Sequence, residues 1–166
     1  MKVILYMTMT VNGMIAPEGG RASFVSEESW KSLNKIAQKA GCVIYGRKSY
    51  DAEPIEGVLN VVLTHDKTMR SDKKEFVFMS GAPRKILEKL EKQGYQSVLV
   101  VGGGQTNAEF MKDDLINEIY LDVEPLILGK GTPLFNPEDF ALKLELIEMR
   151  PLKGKTIQLH YRVKTK

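Results

Sequence analysis

Leu99-Val100-Val101-Gly102-Gly103-Gly104-Gln105-Thr106-Asn107 is an aliphatic run that ends in three glycines and leads into a helix-like segment, Ala108 to Lys112. Glycine at such a turn lets the backbone approach a ligand closely. The N–H groups at the start of a helix are free to point at an anion such as a phosphate. The stretch therefore predicts a strand, a phosphate-binding turn and a helix. A turn that only caps the helix is the alternative.

A second apolar run, Cys42-Val43-Ile44-Tyr45, also closes on glycine, in Gly46-Arg47-Lys48-Ser49. The N–H groups of a short helix start, the Arg47 guanidinium and the Ser49 hydroxyl can together bind a phosphate. A solvated cationic turn is the alternative. Arg47 would suit the 2′-phosphate of NADPH. Two phosphate-type turns in one small domain predict a dinucleotide bound across the edge of a sheet.

A third polar turn, Thr64-His65-Asp66-Lys67, follows a run rich in β-branched residues. A hydroxyl and a cation at the end of a strand suit an adenosine ribose-phosphate, and an exposed polar turn explains the pattern nearly as well. His65 could act as an acid or base only inside a pocket. We expect the other histidine, His160, to be structural, because it alternates within a predicted strand.

The composition describes a globular chain of 166 residues with a net charge of +3 from mixed charges. The length predicts one domain. The charge is compatible with an anionic small ligand, and no aromatic or zinc-knuckle motif or basic arm indicates nucleic-acid binding. The single cysteine, Cys42, cannot form a disulfide within the chain, which favours a cytoplasmic setting. No segment is long enough to span a bilayer, so we expect no membrane partner.

The spacing of apolar residues predicts alternating strands and helices. The segment Ser26 to Lys39 has apolar residues every three or four positions and a stop at Gly41, as an amphipathic helix does. A second helix, Ala82 to Gln93, has Pro83 in its first turn. The predicted strands are Val3 to Met9, Cys42 to Tyr45, Leu59 to Thr64, Glu75 to Met79, Ser97 to Val101, Glu118 to Val123, Phe140 to Met149 and Thr156 to Val163. This order predicts an α/β domain with a mostly parallel sheet and an antiparallel C-terminal edge.

Three further features have two interpretations each. The segment Thr10-Val11-Asn12-Gly13-Met14-Ile15-Ala16 contains Asn-Gly, which predicts a turn or mobile loop. Trp30 is either a core anchor of the first helix or the wall of a pocket that stacks on a planar heterocycle. Lys130 either meets an anionic substrate or is solvated.

Taken together, these motifs resemble the dihydrofolate reductase-like fold, and more specifically the C-terminal reductase domain of the riboflavin-biosynthesis enzyme RibD and its stand-alone relatives. The resemblance covers nearly the whole chain. It rests on four segments in the same order as in the family: Thr10 to Ala16, Gly46-Arg47-Lys48-Ser49-Tyr50, Gly102 to Gly104, and Pro125-Leu126-Ile127-Leu128-Gly129-Lys130-Gly131-Thr132-Pro133-Leu134-Phe135.

The resemblance implies a three-layer α/β/α fold with NADPH at the C-terminal ends of the strands. It implies a small-molecule substrate and a homodimer. Phosphate would be held by Gly46, Arg47, Lys48 and Ser49, the adenosine ribose by Thr64 and His65, the pyrophosphate by Gly102, Gly103, Gly104, Gln105 and Thr106, and the nicotinamide would lie near Ile15 and Ala16. The candidates for substrate binding are Thr10, Asn12, Trp30 and Lys130.

The chain departs from the family at positions that would meet the substrate. Asn12 replaces an aspartate, Val101 stands where an acid usually precedes the glycines, and the acidic segment before Pro54 is one residue short. Glu27 or Glu28 could replace the pterin-binding acid of dihydrofolate reductases, but acids are favourable at any helix start. In the bifunctional family enzyme a deaminase with the zinc-ligand motifs His-x-Glu and Cys-x-x-Cys accompanies the reductase, and this sequence contains neither motif.

The sequence favours an NADPH-dependent reductase of a pterin-like or pyrimidine-like heterocycle, with no assigned catalytic residue and with water or Thr10 as the proton donor. The missing acids at positions 12 and 101 favour a second hypothesis, a nucleotide-binding module that has kept the fold and lost the reaction. A third hypothesis is an assembly protein that pairs subunits through its strand-rich C-terminus.

Overall fold

The computed structural model describes residues 1–49, 54–66, 68–70 and 75–164. Tyr50 of the second glycine motif, Ala52 and Glu53 of the shortened acidic segment, and Lys67 lie outside these residues. The described strands are β1 (Lys2–Thr10), β2 (Met14–Pro17), β3 (Cys42–Gly46), β4 (Leu59–Leu63), β5 (Phe76–Met79), β6 (Ser97–Val100), β7 (Glu118–Glu124), β8 (Gly131–Pro133), β9 (Leu144–Pro151) and β10 (Ile157–Val163). The described α-helices are α1 (Glu27–Ala40), α2 (Pro83–Lys92) and α3 (Gly104–Lys112), and one turn of 3-10 helix spans Arg47–Ser49 after β3.

Eight of these strands form one sheet in the order β5-β4-β3-β6-β1-β7-β10-β9. The strands from β5 to β7 are parallel, and β10 is antiparallel to both β7 and β9. The predicted mostly parallel sheet with an antiparallel C-terminal edge is confirmed. Because parallel strands end at the same edge of a sheet, the turns that follow β3, β4 and β6 meet there.

The two faces of the sheet are covered by different helices. Successive side chains of a strand point to opposite faces. Val3 and Leu5 of β1 pack with residues of α2 and α3, whereas Ile4 and Tyr6 pack with residues of α1. The layers are therefore α/β/α, as predicted. No helix in the described part of the chain is long and apolar enough to cross a membrane.

Helix α1 begins and ends where the sequence predicts. The Ser26 hydroxyl accepts from the Ser29 N–H at 3.3 Å, and Gly41 ends the helix in the left-handed conformation with φ 74°. Both are common ways to satisfy the polar groups of helix ends. These caps fix which residues of α1 lie at the edge of the sheet where the parallel strands end.

Three predicted elements differ in the structure. The segment predicted as a turn or mobile loop contains β2, which pairs with β8, a partner too distant in sequence for a local pattern to show. Helix α3 begins at Gly104 rather than Ala108, because the low helix propensity of glycine hides its first turn. Strand β9 begins at Leu144 rather than Phe140, whose ring packs against Phe135.

Candidate functional site

A cleft of about 1820 Å³ opens at the edge of the sheet where β3, β4 and β6 end. Small-molecule sites are usually about 300 to 1,000 Å³. The cleft is therefore large enough for a dinucleotide together with a second small molecule. The predicted cofactor residues that line it are Ile15, Ala16, Gly46, Arg47, Lys48, Ser49, Thr64, His65, Gly103, Gly104, Gln105 and Thr106.

The two glycine turns touch each other through their backbones. The Gly46 N–H donates to the Gly102 carbonyl at 2.6 Å. A Cβ atom on Gly46 would lie 2.5 Å from the Thr106 hydroxyl oxygen, and one on Gly104 would lie 2.6 Å from the Pro133 carbonyl oxygen. Gly46 and Gly104 are therefore required for close packing. Gly102 is buried and, within the described cleft, does not contribute to its lining.

Gly103 differs from its two neighbours, because a side chain has room there. Among the described residues, a Cβ atom on Gly103 would meet only the Ser49 hydroxyl oxygen, at 3.6 Å. Gly103 is the N-cap of α3, and no side chain among the described residues caps this helix. The N–H groups of its first turn are thus available to an anion, with Arg47 and Lys48 on the same cleft. This arrangement fits the diphosphate of a dinucleotide.

Helix α1 forms the other side of the cleft. The Trp30 side chain is 44% exposed and lines the cleft together with Leu33 and Asn34. The structure therefore agrees with the interpretation of Trp30 as a pocket wall and not with that of a core anchor. Glu27 pairs with Lys31 at 2.5 Å on the outer surface, and neither Glu27 nor Glu28 belongs to the described cleft lining.

Three predicted substrate-binding residues lie outside the described lining of the cleft: Thr10, Asn12 and Lys130. Thr10 is fully buried, and its hydroxyl donates to Asn12 Oδ1 at 2.7 Å and accepts from the Met14 N–H at 3.0 Å. The Asn12 amide donates to the Leu128 carbonyl at 2.7 Å. Thr10 and Asn12 thus join the loop after β1 to the segment after β7, and their role in substrate binding stays a prediction. Lys130 is exposed.

The sequence analysis missed the floor of the cleft, which Tyr6 and Thr8 of β1 line. Tyr6 and Thr8 are both buried, and the half-buried Met7 between them lines the cleft as well, so the alternation of side chains along β1 does not mark the floor. Behind Tyr6 lie two buried carboxyl groups of β7, those of Asp122 and Glu124. No local motif marks these acids.

Two other residues that the sequence singled out lie away from the chemistry of the cleft. Cys42 is a buried free thiol, and burial raises its pKa to about 12, so it stays protonated and unreactive. The His160 ring stacks on Tyr120 at 3.9 Å and pairs with Glu118 at 3.0 Å, as a structural residue would.

The profile of the RibD C-terminal domain family matches residues 1–158 of this chain. The chain belongs to the RibD C-terminal domain family. The uncharacterized protein YwjB of Bacillus subtilis (strain 168) is 30% identical in an alignment 171 residues long, which covers 96% of this chain and 97% of YwjB.

Solved structures of similar proteins share the fold of this RibD C-terminal domain. A putative riboflavin biosynthesis protein from Shewanella sp. PV-4 has a TM-score of 0.80 at 22% identity and covers 99% of this chain and 100% of its own. Dihydrofolate reductase from Enterococcus faecalis, complexed with NADP(H), has a TM-score of 0.80 at 15% identity and covers 99% and 97%. The chain therefore has the fold of RibD-type and dihydrofolate reductase-type reductases.

Proposed function

We propose that this RibD C-terminal domain is an NADPH-dependent reductase that acts on a small planar heterocycle, pterin-like or pyrimidine-like. The observation that supports this best is that one cleft is lined by the start of α3, which no side chain in the described part of the chain caps, by Arg47 and Lys48, and by Trp30 of α1. The start of α3 and the two cations offer donors and positive charge for phosphates. Trp30 offers an aromatic face for a flat ring.

Each part of the cleft has a distinct task in this proposal. The start of α3 at Gly103 and Gly104 would hold the diphosphate, and Arg47 would bind the 2′-phosphate. Thr64 and His65 would border the adenosine ribose. Ile15 and Ala16 would border the nicotinamide, and when bound NADPH would supply a hydride. The chain itself would orient the two reactants and exclude water.

Titration of the purified protein with NADPH, with NADH in parallel, tests the cofactor. We expect saturable quenching of Trp30 fluorescence and tighter binding of NADPH than of NADH. Oxidation of NADPH is then followed in the presence of oxidised pterins, dihydrofolate and aminopyrimidinones. If neither NADPH nor NADH binds, the proposal is overturned.

A catalytically silent nucleotide-binding module is the second candidate, favoured by the positions that lack an acid. Val101 lines the cleft where the family usually carries an acid, and Asn12 is used to hold a loop. This candidate predicts saturable NADPH binding with no oxidation across the same panel of compounds.

We further propose that the protein is a cytoplasmic homodimer that pairs through the sheet face of β9 and β10. Apolar side chains are exposed there, including those of Leu146, Met149 and Ile157. A patch of this kind on a soluble protein commonly marks an interface. Sedimentation equilibrium of the wild type and of Met149→Lys tests this, because we expect the variant to be monomeric. A monomeric wild type would contradict it.

A further inference from the structure

Two carboxyl groups of β7 lie beneath α1, and their surroundings shift their pKa values in opposite directions. Asp122 and Glu124 are two residues apart on one face of the strand, with exposed fractions of 0% and 6%. Carboxylates buried side by side cannot both ionise cheaply. Where the surroundings push two such pKa values apart, the acid that keeps its proton can be told from the one that loses it.

The Glu124 carboxylate is surrounded by hydrogen-bond donors. Its oxygens accept from the Ser26 N–H at 3.1 Å, the Ser29 hydroxyl at 3.2 Å and the Thr156 hydroxyl at 2.7 Å. Burial alone would raise the pKa of Glu124, but these donors outweigh it and hold the pKa below its usual range. Glu124 is therefore the ionised member.

The hydrogen bonds around Asp122 need one more proton than an ionised Asp122 would leave. Its Oδ1 accepts from the Gln158 amide at 2.8 Å, and its Oδ2 lies against the Tyr6 hydroxyl. The same hydroxyl lies 3.1 Å from the Ser29 carbonyl oxygen. One phenol proton cannot serve two acceptors. A proton on Asp122 completes the set, because Asp122 then donates to Tyr6 and Tyr6 donates to Ser29.

The charges around Asp122 favour this protonated form. Burial raises the pKa of Asp122 and, together with the Glu124 charge, outweighs the hydrogen bonds from the Tyr6, Gln158 and Ser29 side chains, which lower it. From β9, the Arg150 guanidinium bonds to Gln158 Oε1 at 2.6 Å. On β10, His160 faces Tyr120 and Glu118 instead. In the described residues no cation forms an ion pair with Asp122.

Tyr6 connects this buried acid to the cleft. It lines the cleft floor, and its hydroxyl bonds to the carbonyl of Ser29, the residue before Trp30. We propose that Asp122 is a carboxylic acid at neutral pH and supplies, through the Tyr6 hydroxyl, the proton that the reduction requires. This inference rests on the proposed reductase function and replaces Thr10 as the candidate donor.

The proposed step balances in protons and electrons. With NADPH bound, the carbon of a C=N or C=O bond would accept a hydride, and the cofactor would leave as NADP⁺. The nitrogen or oxygen would take the Tyr6 proton as the π bond opens, and Tyr6 would give up its hydrogen bond to the Ser29 carbonyl oxygen in the same step. The Tyr6 oxygen takes the proton of Asp122, and the resulting carboxylate regains a proton from water. Tyr6 is the catalytic residue, and Asp122 acts through it.

The protonation state can be measured without a substrate. In protein labelled with ¹³C at aspartate carboxyl carbons, the signal lost in Asp122→Asn belongs to Asp122. We expect it to report a protonated group at pH 7, and to titrate at lower pH in Glu124→Gln because a neighbouring negative charge is removed. An ionised Asp122 at pH 7 would overturn the proposal whether or not the protein is a reductase.

The link to turnover is tested with any compound that the NADPH oxidation panel identifies. We expect Tyr6→Phe and Asp122→Asn to lower kcat at least tenfold with the NADPH dissociation constant unchanged. Wild-type kcat should fall above the pKa measured for Asp122, and Asp122→Asn should lose this pH dependence. Tyr120→Phe is the matched control, since its ring stacks on Tyr6 at 6.2 Å and lies outside the described cleft lining.

The possible results separate this proposal from the reductase proposal. Unchanged kcat in both variants contradicts the proton source and leaves the reductase in place. A protonated Asp122 with no compound reduced contradicts the reductase, and the proton-source role fails with it.

Discussion

The two ends of the cleft are built in different ways. At the end where we propose that phosphates bind, called here the phosphate end, backbone atoms form the site: the glycine turns pack on each other, and the first turn of α3 is left open to the cleft. At the end where we propose that a heterocycle binds, called here the heterocycle end, side chains from distant segments come together, with Trp30 on α1, Tyr6 on β1 and Asp122 on β7. Ligand binding at the phosphate end should therefore depend on which residues are glycine. Binding and chemistry at the heterocycle end should depend on the protonation of Asp122 and on the aromatic rings of Trp30 and Tyr6.

The largest effect that we expect at the phosphate end comes from Arg47→Ala. Hydrogen bonds to charged groups contribute about 1.5 to 3 kcal/mol, so NADPH affinity should fall about tenfold or more. NADH lacks the 2′-phosphate, and its affinity should change little. Parallel titrations measure the ratio of the two dissociation constants. Lys92→Ala, a cation of α2 outside the described cleft lining, is the control.

An equal loss of NADPH and NADH affinity in Arg47→Ala would contradict the assignment of the 2′-phosphate to this residue. Equal affinity of the wild-type protein for both nucleotides would contradict it as well.

A comparison of two adjacent glycines separates packing from ligand binding. In Gly104→Ala the added carbon would lie 2.6 Å from the Pro133 carbonyl oxygen, and overpacking of this kind costs about 1 to 3 kcal/mol. In Gly103→Ala the added carbon would make an ordinary contact with the Ser49 hydroxyl oxygen at 3.6 Å, so the free energy of unfolding should stay close to that of the wild type while NADPH affinity falls. Urea unfolding and nucleotide titration measure the two effects. Equal destabilisation by both substitutions would show that Gly103 also serves packing.

The sequence could predict the fold and the two glycine turns, because both depend on residues that are close together in the chain. Strands and helices show in the spacing of apolar residues, and each phosphate turn is a few consecutive residues around Gly46 or Gly103. The pairing of β2 with β8 could not be predicted, because Met14 and Pro133 meet only through the tertiary fold.

The heterocycle end could not be predicted for the same physical reason. Gln158 and Tyr6 are separated by 152 positions, yet both contact the carboxyl group of Asp122. Trp30 shows a different limit of local patterns. Its helical spacing is the same whether the apolar face meets the sheet or a cleft, so only the fold distinguishes the two.

The pH dependence of stability gives the smallest effect and separates the two acids at the heterocycle end. The pKa of Asp122 is raised in the folded state, so its contribution to stability is full at low pH and lost as pH rises through the folded value. The pKa of Glu124 is lowered, so its contribution is present above the ordinary glutamate value and lost as pH falls. One pKa unit corresponds to about 1.4 kcal/mol.

The two substitutions should therefore change the free energy of unfolding with opposite dependence on pH. As pH rises, the free energy of unfolding of Asp122→Asn should increase relative to that of the wild type, because the substitution removes a buried group that resists ionisation. As pH falls, the loss of stability caused by Glu124→Gln should become smaller, because protonation of Glu124 removes the stabilisation that its hydrogen-bonded carboxylate gives the wild type. Urea unfolding across a pH series measures both. If the free energy of unfolding changes with pH in the same way in both variants, the two acids share one environment and the pKa of Asp122 is not raised relative to that of Glu124.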